Sequence, residues 1–161
     1  MPITEKQRQQ RMKHLGGSDI PVLLGLNRFK NPYELWLEKT GRLDEKPLDS
    51  EAARAGVLFE DGVIEFAAEH LGPIIRNQYR SAKDLPIGSN LDGIVRSEGE
   101  PLEVKVEGLF WKLRDGWGDP GTDQVPYDVI IQDHVHMICL DDAPVCHTAA
   151  FLGGRGFALY K

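Results

Sequence analysis

The spacing of apolar residues changes period several times along this chain. In LEVKVE, residues 102–107, apolar and charged positions alternate strictly, as in a strand with one buried face. Leu102, Val104 and Val106 then point one way and Glu103, Lys105 and Glu107 the other. The stretch before it, IGSNLDGIV, is the first arm of a hairpin whose turn is the polar run RSEGEP. Elsewhere the helical period dominates. A first helix opens at Thr4 and ends before Gly16-Gly17. Ser18 caps a short second helix that stops at Gly25, and Asn31-Pro32 starts a third that stops at Gly41. A long fourth helix, about 50–71, ends at Gly72-Pro73; its apolar face carries Val57, Ile64, Ala67, Ala68 and Leu71, with Glu60 on that same face. A fifth, about 126–140, has Tyr127, Ile130, Ile131, His134 and Ile138 as its expected buried stripe and Gln132 on the neighbouring face. Further strands are predicted at 74–80, 145–152 and 156–160, the last two joined by Gly153-Gly154-Arg155. Four helices, three strands, a crossover helix and two strands predict an α/β/α sandwich with a mixed central sheet.

A length of 161 residues and an apolar fraction of 41% fit one domain with a real core. There is no apolar run near the ~20 residues that cross a bilayer, and no signal peptide is expected from the polar, basic N-terminal stretch. Two cysteines, Cys139 and Cys146, make no disulfide framework, so a reducing cytoplasm is expected. The net charge of −6 neither supports nor excludes a DNA substrate. Locally, Lys6, Arg8, Arg11 and Lys13 make the N-terminus basic.

Asp92 is out of place in mid-strand, where aspartate is disfavoured. With Glu103 and Lys105 on the next arm, it could place two carboxylates and an ammonium around one point. Mg²⁺ takes oxygen ligands and keeps several waters, so two carboxylates and a backbone carbonyl suffice to hold it. Lys105 could orient or deprotonate the attacking water, and Glu60 could complete the ligand shell or bind a second ion. The plainer alternative is a solvated strand of alternating charge with Asp92 in a turn. Ser18, after two glycines, either caps its helix or leaves free N–H groups suited to a phosphate. Trp111 and Trp117, among basic residues, could stack on a nucleic-acid strand or anchor the core. His134, His136, Cys139, Cys146 and His147 cluster in sequence without zinc-ligand spacing. No GxSxG elbow, phosphate-binding Walker loop or GxGxxG occurs.

In combination, GGSDIPVLLGLNRFKNPYELWLEKTG, GVLFEDGVIEFAAEHLG, LDGIV, LEVKV and IIQDHVHM resemble, in order and over nearly the whole chain, the YqaJ-type viral recombinase family. That family includes the lambda-type alkaline exonucleases of the PD-(D/E)XK nuclease superfamily. The resemblance implies one restriction-endonuclease-like α/β domain over 1–161, with N-terminal helices (1–48) for DNA-end binding and a catalytic core (49–161). It implies an Mg²⁺- or Mn²⁺-dependent exonuclease that digests one strand of linear double-stranded DNA 5′→3′. The resulting 3′ overhang would serve a single-strand annealing partner in recombination, in a phage- or prophage-encoded, cytoplasmic setting. By resemblance, Glu60, Asp92, Glu103 and the Val104 carbonyl hold the metal, and Lys105 is the catalytic lysine. Arg11, Ser18, Gln132 and Lys105 would bind the 5′ phosphate. His134, standing where relatives carry a second glutamine, is a candidate DNA contact with Trp111 and Arg155. A ring-shaped homotrimer is the implied assembly. The alternatives on the same core are a structure- or sequence-specific endonuclease and a DNA-end-binding protein with little activity.

Overall fold

The computed structural model describes residues 5–27, 29–44, 50–109 and 116–161. Thr4 and Trp111 lie outside the described residues. Helices α1 (Glu5–Lys13), α2 (Asp19–Leu23), α3 (Pro32–Lys39) and α4 (Glu51–Leu71) precede strands β1 (Ile74–Ser81), β2 (Gly88–Val95) and β3 (Pro101–Glu107). Helix α5 (Tyr127–Cys139) then leads to β4 (His147–Leu152) and β5 (Gly156–Tyr160). The strands lie in the order β1-β2-β3-β4-β5. Only β3 and β4, joined through α5, are parallel; the other neighbours are antiparallel. This is the mixed sheet with flanking helices that the element order predicts.

Local chemistry sets the helix ends. Asn31 and Glu34 form a reciprocal capping box at α3, with Pro32 in the first turn. The Ser50 hydroxyl accepts from Ala53 N–H at 3.1 Å to start α4, and Gly72, at φ +80°, stops it.

The two sheet faces carry two apolar clusters. Val63 and Ala67 of α4 pack on Leu102 and Ala149, with Val104 and Val106 beside them. On the opposite face Val129 of α5 joins Val125, Ala150, Leu152, Ala158 and Tyr160, and Trp117 packs against this cluster as a core anchor. The alternation in β3 is thus the alternation of the two sheet faces: its apolar residues face α4, and Glu103 and Lys105 face α5.

Two helix stripes differ from expectation. On α4 the sheet-facing set is Glu60, Val63, Ile64, Ala67 and Leu71, at i, i+3, i+4, i+7 and i+11; Val57, a turn earlier, is 48% exposed. On α5, Val129, Asp133, Val135, His136 and Cys139 are buried, whereas His134 is exposed and Tyr127 is 66% exposed. The helix turns its polar residues inward because they find partners there, which offsets their desolvation.

The sheet is irregular around Asp92 on both sides. Pairing of β1 with β2 skips Asn77 and Asp92, and Asn77 has φ +57°. Pairing of β2 with β3 is confined to Gly93 with Leu102 and Ile94 with Pro101. Beyond that point β3 continues its ladder with β4 alone. The strands open a gap, and Asp92 stands in it.

Candidate active site

Where β2 leaves β3, the backbone N–H of Val104 has no strand partner; it donates instead to Asp92 Oδ2 at 2.8 Å. An aspartate disfavoured by strand propensity thus takes over a ladder bond. On the α5 side, Glu103 is 6% exposed and accepts two hydrogen bonds. Lys105 Nζ donates to Oε1, and the His136 ring nitrogen Nε2 lies 2.5 Å from Oε2. Lys105 Nζ also donates to Gln132 Oε1 at 2.5 Å. The network closes as two matched pairs. Residues two apart on a strand are separated by about 6.6 Å, and residues four apart on a helix by about 6 Å along the axis. Glu103 and Lys105 on β3 therefore align rung for rung with His136 and Gln132 on α5.

The electrostatics divide the two carboxyls. Burial opposes ionisation of Glu103, but Lys105 and His136 outweigh it and hold the carboxyl down to about 2. Burial and then the negative charge of Glu103 push Asp92 up to about 7, although Val104 N–H and Lys105 pull the other way. Burial would strip Lys105 of its proton; Glu103 beside it reverses the direction and raises its pKa. His136 is raised by the same neighbour against its burial.

Behind this network, Asp133 accepts from the Thr148 hydroxyl at 2.8 Å and from the Cys146 thiol at 3.5 Å. Burial, then Glu103, pushes it up to about 6. Asp133 and His136 are the members that sequence reasoning missed. The available signal was two polar residues three apart on a helix that crosses between two strands of the sheet.

The other candidates fall around this centre. Glu60 is half-buried on the α4 stripe that faces the β3 side opposite Glu103. Ser18 occupies the N-cap position of α2, but its hydroxyl makes no capping bond and the residue is exposed. Its neighbour Gly17 lies against α5: a Cβ there would sit 3.3 Å from His136 Cε1 and 3.9 Å from Gln132 Cα. The loop is held in place by Asp19, whose Oδ2 accepts from Gly16 N–H at 2.7 Å and pairs with Lys39 at 2.6 Å. Lys39 in turn donates to the carbonyls of Arg11 and His14. Arg11 lines a cavity of about 260 Å³ with residues of α3, including Leu35 and Lys39. His134 lies on the exposed side of α5, with Nδ1 2.7 Å from the Ile130 carbonyl. Arg155 donates to the Gly118 carbonyl and pairs with Asp119 at 3.1 Å. A separate group, Glu98, Glu100 and His147, has potential ligand atoms within 4.8 Å of one another. There the buried His147 lies 2.7 Å from Glu100.

Two carboxylates of opposed proton affinity and an ammonium at the divergence of two strands, in an α/β/α fold, are an arrangement suited to phosphate ester chemistry. The fold is that of alkaline exonucleases. The solved structure of LHK-Exo in complex with dAMP superposes with a TM-score of 0.72 at 16% identity, over 97% of this chain and 80% of that one. A second structure, the alkaline exonuclease LHK-Exo from Laribacter hongkongensis, gives 0.68 at 16% identity with the same coverage. The model of the YqaJ-like viral recombinase domain matches residues 6–143, and the chain belongs to that family. It is 32% identical over 152 residues to the uncharacterized protein YqaJ of Bacillus subtilis (strain 168), covering 92% of this chain. The chain spans 46% of that relative's length. Among the described residues no helix is long and apolar enough to cross a membrane.

Proposed function

We propose that this domain is a divalent-metal-dependent DNA nuclease that degrades linear double-stranded DNA from its ends, 5′→3′, in recombination. The observation that carries this is the convergence of Asp92, Glu103 and Lys105 at the point where β2 and β3 separate. Family membership and the alkaline exonuclease fold support it.

The donor set fits a hard cation. Asp92, pushed up to about 7 by burial and by Glu103, is an acid whose charge lacks compensation, as a carboxylate awaiting a cation would be. The Val104 carbonyl leaves β3 on the same side as its N–H, toward the gap that holds Asp92. Asp92, Glu103 and that carbonyl would hold Mg²⁺ or Mn²⁺ in the gap, and Glu60, on the α4 side of the sheet, would complete the shell from the opposite face only through that gap. The ion would supply Lewis-acid polarisation of the phosphodiester.

Lys105 keeps its proton because Glu103 lies beside it. Its ammonium would neutralise the charge that builds on the phosphorane. Gln132 holds the ammonium on its other side. Ser18, exposed beside the α5 face that carries Gln132, would bind the terminal 5′ phosphate, with Arg11 as a further cation of that pocket.

The test is digestion of linear duplex with and without a 5′ phosphate, set against closed circular plasmid, in Mg²⁺. Loss of linear DNA with the circle intact is expected, and Glu103→Ala should abolish it. Cutting of the closed circle would make the enzyme an endonuclease, and undiminished activity of Glu103→Ala would remove this site from the reaction.

A further inference from the structure

His136 has no part in the function proposed above, yet it holds one of its two carboxylates. The ring is 3% exposed, and its Nε2 lies 2.5 Å from Glu103 Oε2 while Lys105 takes Oε1. Nδ1 is buried with no hydrogen-bond partner among the described residues. A carboxylate can only accept, so the ring nitrogen that faces Glu103 must carry a proton whatever the charge of the ring. Nε2 therefore donates toward Glu103. The ring is also wedged. Gly17 lies against its Cε1 edge so closely that an added Cβ would come to 3.3 Å, and to 3.4 Å from Ser89 Oγ.

We propose that His136 is a positioning residue: its Nε2–H fixes the plane of the Glu103 carboxylate, leaving Oε1 to be shared between Lys105 and a cation in the β2–β3 gap. Deprived of this donor, Glu103 is a buried carboxylate hydrogen-bonded to Lys105, free to turn both oxygens onto that ammonium and away from the gap. Because the Gly17 loop rests on the same ring, the imidazole also connects the Ser18 segment to the metal carboxylate. The inference rests on Glu103 being a metal ligand.

The experiment compares the parent with His136→Leu, which has no donor, His136→Gln, which can present an amide N–H at a similar reach, and Gly17→Ala. Mn²⁺ binding is measured by calorimetry without DNA, and cleavage is measured against Mn²⁺ and DNA concentration. His136→Leu should bind Mn²⁺ roughly 10–100-fold more weakly, as expected on loss of a carboxylate's outer support. Cleavage should then need correspondingly more metal, with KM for DNA unchanged. His136→Gln should recover most of the affinity, and Gly17→Ala, which presses on the ring, should fall between. Parental Mn²⁺ affinity in His136→Leu overturns the proposal, as does His136→Gln failing as badly as His136→Leu while both melt like the parent. If His136→Leu does not fold, the Gln and Gly17→Ala variants decide by the same criteria. A parent that binds no Mn²⁺ and cuts no DNA would instead overturn the nuclease function itself.

Discussion

Lys105 Nζ lies 2.5 Å from Gln132 Oε1, a bond between β3 and α5 across 27 residues of chain. It is the rung beside the Glu103–His136 rung, and together the two keep the helix and the strand in one register. The Lys105 side chain is 19% exposed, and its ammonium is thereby held between a carboxylate and a neutral amide. Gln132→Leu removes one hydrogen bond to a charged donor, worth about 1.5–3 kcal/mol. Its kcat/KM on linear duplex should fall roughly 10–100-fold. Lys105→Ala should leave no measurable cleavage, and a Gln132→Leu enzyme as fast as the parent would detach the amide from the site.

Asp92→Asn is expected to separate stability from function. An amide oxygen can still accept from Val104 N–H, so the gap should keep its shape. The folded protein pushes the native carboxyl up to about 7, so above that pH its ionised form works against folding. In EDTA at pH 8 the variant should melt above the parent, while Mn²⁺ binding by calorimetry and cleavage are both lost. A lower melting temperature would contradict the assigned electrostatics.

Asp133 supplies a pH dependence of defined sign. Its folded pKa, about 6, lies above the ordinary 3.8. Below pH 4 both folded and unfolded chains hold the proton and no penalty arises. Between about 4 and 6 the unfolded chain releases it first, so stability falls as pH rises, by about 3 kcal/mol in all. Asp133→Asn should remove this fall. Urea midpoints of parent and variant in EDTA, from pH 4 to 7, should converge at the acid end and diverge in the variant's favour at the neutral end.

The Ser18 loop depends on a buried ion pair. Asp19→Ala would leave Lys39 without its carboxylate and the Gly16 N–H without an acceptor. A loss of about 3–5 kcal/mol is expected for breaking such a pair from one side, visible as a lower urea midpoint.

Ser18→Ala and Arg11→Ala should leave the fold intact and erode the preference for 5′-phosphorylated ends, measured as the ratio of rates on phosphorylated and unphosphorylated duplex. An unchanged ratio in both variants would place neither residue in the phosphate pocket.

Local sequence determined the elements and half of the site. Period-two alternation assigned Glu103 and Lys105 to one face of a strand, because successive side chains on extended backbone must point to opposite sides. Caps and glycine stops set α3 and α4, because unpaired N–H and C=O groups at helix ends demand local partners. Asp92 was conspicuous because its type contradicted its setting. What α5 buries was decided by tertiary structure. Apolar spacing favours Tyr127 and His134 facing inward, yet the helix presents Asp133 and His136 to the sheet, where Thr148 and Glu103 receive them. Thr148 is 15 residues from Asp133 and Glu103 is 33 from His136, so no local pattern could announce the pairing. Nor could it show that β2 and β3 part at Gly93 and Leu102: a gap between strands is a relation between backbones, and side-chain order along one chain does not encode it.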